Sequence, residues 1–309
     1  MRKVYGIGET VLDIIFNNDQ PIGAIPGGSV FNAMISLGRC GVPTEMISET
    51  GDDRVGRNTL RFLNDNNVGS QYVTTYPGAK SPVSLAFLNE NNDAEYIFYK
   101  DHPNDKLEMV FPKINRDDIV LFGSYYSVNP VIRQPMATFL QYAKEKGAIL
   151  YYDVNFRSSH KDEVIKLTAN ILENLEFADI VRGSDEDFRV MFKKEDADKV
   201  YRGDISFYCK NFIYTRGVEP TDFYAVGNFF KQYSVKHVEP VSTIGAGDNF
   251  NAGFVYGLLK HNITLDMLNN GIDDRLWDKV IECAQAFAAN ACQTISNSVS
   301  KEFGAALRA

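Results

Sequence analysis

Short apolar runs and helix-spaced stretches take turns along this chain. Val4 to Gly8 reads as a short buried strand that ends in glycine. Ser29 to Arg39 has helical spacing, and Gly41-Val42-Pro43 stops it. The same alternation then repeats. Met46 to Ser48, Asp118 to Gly123, Ala148 to Asp153, Asp179 to Val181 and Phe212 to Thr215 read as buried strands. Arg57 to Asn66, Pro135 to Lys146 and Glu163 to Asn174 read as helices between them, and Glu282 to Cys292 is a further, alanine-rich helix. Strands that are apolar on both sides, separated by helices, predict an α/β fold: a doubly wound, mostly parallel sheet with helices on both faces.

Two stretches interrupt the rhythm, Val11 to Ile25 and Val83 to Tyr99. In the second, Val83-Ser84-Leu85-Ala86-Phe87 and Glu95-Tyr96-Ile97-Phe98-Tyr99 flank Asn91-Asn92-Asp93, a period-two hairpin pattern around a turn. Segments of about 11–25 and 83–100 are therefore expected to build a small antiparallel sheet outside the main body, either a lid or an edge hairpin. No linker composition and no internal repeat divides the chain, so 1–309 reads as one α/β domain carrying that insertion.

Composition narrows the classes. The chain has 309 residues, 44% of them hydrophobic, enough for a large core. Its net charge of -8 argues against a general nucleic-acid partner, which needs a basic footprint. Cys40, Cys209, Cys283 and Cys292 have no C-x-x-C spacing and no histidine cluster beside them, which predicts free thiols in a reducing, cytoplasmic setting. No apolar run is long enough for a membrane span. Met1-Arg2-Lys3 precedes an apolar stretch, but Glu9 and Asp13 interrupt it, so a first strand is a better reading than a signal peptide.

The chemistry concentrates at Ser242-Thr243-Ile244-Gly245-Ala246-Gly247-Asp248, a small-residue turn opening a helix in which Phe250, Phe254 and Leu258 share a face. Gly245 and Gly247 let the backbone approach a ligand, and a helix start offers N–H groups and a positive dipole end to an anion. A carboxylate at Asp248 opposes an anion there. It is either a general base that takes a proton from an attacking hydroxyl, or an acidic first-turn residue that stabilises the helix.

This segment resembles the Asp-Thr-x-Gly-Ala-Gly-Asp signature of the ribokinase-like (PfkB) carbohydrate kinases, and Gly27-Gly28-Ser29-Val30-Phe31-Asn32-Ala33 resembles the family's N-terminal motif. Order and separation match, and the resemblance covers essentially the whole chain, closest to fructokinases and 2-keto-3-deoxygluconate kinases. It implies a ribokinase-like fold with a small β lid, ATP and Mg2+ as cofactors, Asp248 as catalytic base, and Gly245, Ala246 and Gly247 around the transferred phosphoryl group. On the sugar side it implies Asp13, Gly27, Gly28, Asn32 and Arg157, the last within Asp153-Val154-Asn155-Phe156-Arg157. Lys100 stands where those subfamilies carry arginine, which removes a bidentate fork for a carboxylated sugar acid. On the nucleotide side it implies Ser184, Thr215 and Gly217, with Asp187 near the metal through water. Ser184 and Asp187 replace the family's Asn and Glu, and serve equally well as a helix cap with its capping-box partner. Ser242 replaces an Asp. Trp277 and the four histidines read as structural.

The expected reaction is phosphoryl transfer from MgATP to a hydroxymethyl group of a small sugar, fructose first and a 2-keto-3-deoxy sugar acid second. A non-catalytic sugar or nucleotide sensor on the same fold and a nucleoside kinase are the alternatives. Expected partners are the sugar and MgATP, with no nucleic acid and no membrane, and a homodimer formed through exposed lid strands.

Overall fold

The computed structural model describes residues 1–88, 94–101, 110–235, 238–294 and 296–308. Its strands are β1 Val4–Ile7, β2 Val11–Asn17, β3 Gln20–Gly27, β4 Thr44–Gly51, β5 Val68–Tyr76, β6 Lys80–Leu88, β7 Ala94–Asp101, β8 Ile119–Gly123, β9 Ile149–Asp153, β10 Ile180–Ser184, β11 Asn211–Arg216, β12 Glu219–Ala225 and β13 Phe229–Tyr233. The helices are α1 Ser29–Arg39, α2 Arg54–Asp65, α3 Ser124–Val128, α4 Arg133–Glu145, α5 Val164–Phe177, α6 Asp185–Phe192, α7 Ala197–Val200, α8 Ala246–Lys260, α9 Leu265–Asn270, α10 Asp274–Cys292 and α11 Lys301–Arg308.

A nine-stranded sheet runs β13-β12-β11-β10-β9-β8-β1-β4-β5. Every pair from β11 to β5 is parallel, and β12 and β13 close the other edge antiparallel. From β1 the chain winds outward to β4 and β5 on one side, then returns to β8 and winds the other way to β11. An open sheet that reverses direction leaves a crevice beyond the carboxyl ends of its central strands.

The strand alternation explains the two cores. Ile119 and Leu121 of β8, with Ile149 and Tyr151 of β9, face a cluster built with α1, α8 and α10. Val120, Phe122, Leu150 and Tyr152 face the opposite cluster, with α4, α5 and α6. Two helix layers on one sheet bury each strand completely, which is why these strands carry no polar face. Helix α10 starts at Asp274, upstream of the alanine-rich stretch, where the Asp273 side chain accepts from the Arg275 N–H. Strands β12 and β13 escape the apolar-run signature because they are an edge hairpin, with Thr221 and Asp222 buried and Asp222 paired with Arg216 and Gln232. Among the described residues, no helix is long and apolar enough to cross a membrane.

The two interrupting stretches meet in a second sheet, β3-β2-β6-β7. Pairs β2–β3 and β6–β7 are antiparallel hairpins, but the joint between them, β2–β6, is parallel. The Asn91-Asn92-Asp93 turn lies outside the described residues. One face presents two cross-strand rows, Ile25, Asp13, Ser84 and Phe98, then Gly23, Ile15, Ala86 and Tyr96. On this face Asp13, Ile15, Ser84 and Ala86 are buried. The other face is apolar: Pro26, Leu12, Val83 and Tyr99 form one row, and Ala24, Ile14, Leu85 and Ile97 the next. Phe16 stacks on Phe87 at 4.7 Å beside them.

Candidate active site

The Gly245 turn is built before any ligand is considered. Gly245 adopts φ 79° and ψ 1° as it leads into α8, a left-handed conformation that glycine takes without penalty. Asn249 then ties the turn down. Its amide donates to Gly245 O at 2.7 Å and to Asn297 O at 3.0 Å, while its Oδ1 accepts from Ser36 of α1. Ser36 also accepts from the Val299 N–H at 3.0 Å. The turn is thereby fixed to α1 and to the segment before α11. The first N–H groups of α8 have no acceptor within the helix, so this end is suited to negative charge.

Asp248 lies in the first turn of α8 and is buried. The Asn32 amide of α1 donates to its Oδ2 at 2.8 Å. Burial pushes the carboxyl up to about 7, and the charge of Asp153 adds to that. The Asn32 hydrogen bond, Arg157 and Arg182 pull in the opposite direction. The result is a carboxyl that changes protonation near neutrality, the range in which a general base works best. Asn32, expected on a sugar hydroxyl, donates from its amide nitrogen to Asp248.

Asp13 projects from β2 on the buried face of the small sheet and accepts a hydrogen bond from the Ser84 hydroxyl of β6. Burial raises it to about 6; the Ser84 hydrogen bond and Arg157 oppose the rise, and Glu9 adds to it. Gly27 closes on this carboxylate: a Cβ there would lie 2.4 Å from Asp13 Oδ2. Arg157, just beyond β9, keeps solvent-accessible surface. Enclosure disfavours its charge, yet Asp248, then Tyr96, Asp187 and Glu186, together hold the guanidinium above its ordinary value. Tyr96 of β7 senses Asp13, Arg157 and Asp248, and burial followed by those carboxylates raises its hydroxyl, so it remains a donor. The cleft therefore joins the small sheet to the α8 turn through one set of interacting charges.

Ser184 and Asp187 form a complete capping box at the start of α6. Asp187 Oδ2 accepts from the Ser184 N–H at 2.6 Å and the Ser184 hydroxyl at 2.7 Å, and its Oδ1 accepts from the Phe156 N–H at 2.7 Å. Of the two readings left open by the sequence, this geometry is the helix cap. Both carboxylate oxygens of Asp187 accept from protein donors. Among the described residues no group of three or more His, Cys, Asp and Glu side chains could hold a metal ion. The Ser242 hydroxyl accepts from the Ile244 N–H at 3.2 Å, a local turn contact. Thr215 Oγ1 accepts from Arg182 Nη2 at 2.7 Å. Gly217, at φ 59°, lies in the β11–β12 turn, with open space where a Cβ would point.

The structure thus brings Asp13, Gly27, Asn32, Arg157 and the Gly245–Asp248 turn together, with Thr215 joined to them through Arg182. Gly28 lies beside them at the start of α1. The sequence reading passed over Arg182, Asn249, Ser84 and Tyr96. For Arg182 a signal was available: a charge inside the buried strand Ile180-Val181-Arg182-Gly183 requires partners.

The family described as pfkB family carbohydrate kinase matches residues 1–302. The chain is 30% identical over 236 residues to probable fructokinase-6, chloroplastic, of Arabidopsis thaliana. That alignment covers 74% of this chain and 61% of the relative, so the chain spans less than two thirds of that relative's length. It is 26% identical over 255 residues to 5-dehydro-2-deoxygluconokinase of Geobacillus thermodenitrificans, covering 75% of this chain and 72% of the relative. Fructokinase from Vibrio cholerae O395, solved in a fructose, ADP and calcium ion bound form, has a TM-score of 0.84 at 20% identity, covering 99% of this chain and 98% of that one. At that identity the likeness is one of fold.

Proposed function

Because this chain belongs to the pfkB family of carbohydrate kinases, we propose that it transfers the γ-phosphoryl group of MgATP to a hydroxymethyl group of a small sugar, with Asp248 as base. The observation that carries this reading is the placement of Asp248: a buried carboxyl beside an anion-ready helix start, tuned to about 7 and oriented by Asn32. Asp248 takes the hydroxyl proton as that oxygen attacks phosphorus. The N–H groups of the Gly245–Gly247 turn receive the negative charge on the transferred group. Asp13 accepts hydrogen bonds from sugar hydroxyls, and Arg157 orients the sugar or a phosphate. The small sheet acts as a lid that excludes water, the competing acceptor.

Fructose is the first acceptor to test and a 2-keto-3-deoxy sugar acid the second. ADP release from MgATP, measured with sugars, sugar acids and nucleosides beside a no-acceptor control, tests the reading. Stimulation by a hexose supports it. Stimulation by nucleosides alone, or ATP binding without any acceptor-dependent ADP, contradicts it.

The charge state of Asp248 sets a pH dependence. The base works only when ionised, so kcat/KM falls about tenfold per unit as pH drops below the Asp248 pKa, near 7. A profile flat down to pH 5 would exclude this carboxyl as the base.

Two further elements belong to the proposal. The four cysteines are unpaired, which suits the cytoplasm. The apolar outer face of the small sheet, with Ile22, Ile97 and Tyr99 exposed, is the surface through which two copies pair. Light scattering is expected to give a dimer mass, and Leu85→Glu is expected to give the mass of one chain. A monomeric parent protein removes the pairing.

A further inference from the structure

Arg182 occupies the middle of β10, flanked by the parallel strands β9 and β11, and is buried. A guanidinium in that position is tolerated only with close partners. Its Nη1 is paired with Asp153 Oδ1 at 3.1 Å, and its Nη2 donates to Thr215 Oγ1 at 2.7 Å. The guanidinium also lies directly against the α8 turn, since a Cβ on Gly247 would sit 3.0 Å from both Nη1 and Nη2. These contacts reach three different parts of the site: the strand that leads to Arg157, the end of β11, and the anion-ready turn. A plain ion pair between β9 and β10 would account for the Asp153 contact alone. It would not place the flat guanidinium under Gly247.

From this geometry we propose that Arg182 is a positioning residue for phosphoryl transfer, bracing the Gly245–Gly247 turn from beneath and fixing a positive charge behind its N–H groups. Arg182 acts through Gly247 and Asp153 and does not touch the sugar. The inference rests on the phosphoryl-transfer reading above. It adds a residue that neither the glycine motif nor the Asp-x-Asn-x-Arg run contains.

Asp248 is the reporter. The groups that act on it are Asp153 from β9, Arg157 just beyond that strand, Arg182 from β10, Tyr96 from β7, and the Asn32 amide from α1. Asp153 raises the carboxyl, and the two arginines lower it. Removing the Arg182 charge therefore moves Asp248 further upward. Removing Asp153 as well offsets that shift.

The test compares the full-length parent, Arg182→Met and the double variant Asp153→Asn/Arg182→Met. ADP formation with the accepted sugar is followed as kcat, sugar KM and the acid limb of the pH profile. In Arg182→Met, kcat is expected to fall about a hundredfold, as for a misplaced turn remote from the reacting atoms. Its acid limb is expected to move up by roughly one unit, while sugar KM changes by less than about threefold. In the double variant the limb returns toward the parent while kcat stays low, because the brace is still missing. A folded Arg182→Met with an unmoved acid limb overturns the proposal, as does a kcat within about threefold of the parent. Should Arg182→Met fail to fold, the double variant decides, since it removes both buried charges together. Near-parental kcat in the double variant overturns the brace. A parent protein with no acceptor-dependent ADP overturns the phosphoryl-transfer reading itself, and is distinguished from the other outcomes by the parent arm alone.

Discussion

Asp248→Asn is expected to lose about a thousandfold in kcat, the upper half of what a positioned general base contributes, and to melt at a higher temperature than the parent above pH 7. The two effects come from one cause. Burial holds the folded Asp248 carboxyl near 7, against 3.8 for an unperturbed Asp. A group whose folded pKa is raised contributes its stability below the unfolded value and loses it as pH rises through the folded one. At pH 8 the protein therefore carries the full cost of an ionised buried carboxylate, roughly 2–4 kcal/mol for a shift of this size. Asparagine keeps the shape and still accepts from Asn32, but carries no charge. The stability gain is expected at pH 8 and to fade toward pH 4, where the folded carboxyl is protonated and the unfolded one, with its value of 3.8, is partly so. Thermal melts at the two pH values, beside turnover at pH 8, check it. An inactive variant that is also less stable at pH 8 would mean that Asp248 serves the fold and not the chemistry.

Gly28→Ala is expected to damage both fold and sugar site. Gly28 has φ 125° and ψ 144°, a combination open essentially to glycine alone. A Cβ there would lie 2.4 Å from the Glu9 carbonyl oxygen, a backbone atom that no rotamer change can move. Strain and collision together are expected to cost more than about 3 kcal/mol. Relief requires the start of α1 to shift, and α1 carries Asn32, which orients Asp248, while Gly27 closes on Asp13. Urea unfolding should show a reduced midpoint, and any folded fraction should show a sugar KM raised by about tenfold or more. Parental stability and KM would show that this junction tolerates a side chain and is not part of the site.

How much of this was legible in the chain follows from the kind of signal each element carries. Helix α1 was read to the residue, because its glycine entry and its Gly41-Val42-Pro43 exit are both local. The central strands were visible because two helix layers force most of their positions to be apolar on both faces. Strands β12 and β13 were not, because an edge hairpin can hold polar residues in either face. At the site, the glycine turn and Asp248 were legible from spacing and resemblance. The partners that tune Asp248 were not. Asn32 and Asp248 are separated by 216 residues, so their hydrogen bond is a product of α1 packing on α8. Arg182 could be suspected as a charge in a buried strand, but its contacts with Asp153, Thr215 and Gly247 depend on strand order. Ser184 and Asp187 read equally as metal-side residues and as a helix cap with its partner, and strand β10 leads them into a complete capping box.

The central claim is that the γ-phosphoryl group leaves ATP for a sugar carbon's hydroxyl, and phosphorus NMR of MgATP with fructose and the full chain observes that transfer directly. The account predicts a new phosphate-monoester resonance that grows in step with ADP and is absent with Asp248→Asn. ADP appearing with inorganic phosphate and no sugar phosphate, or an unchanged ATP spectrum with fructose and with every other sugar and sugar acid tried, would contradict it.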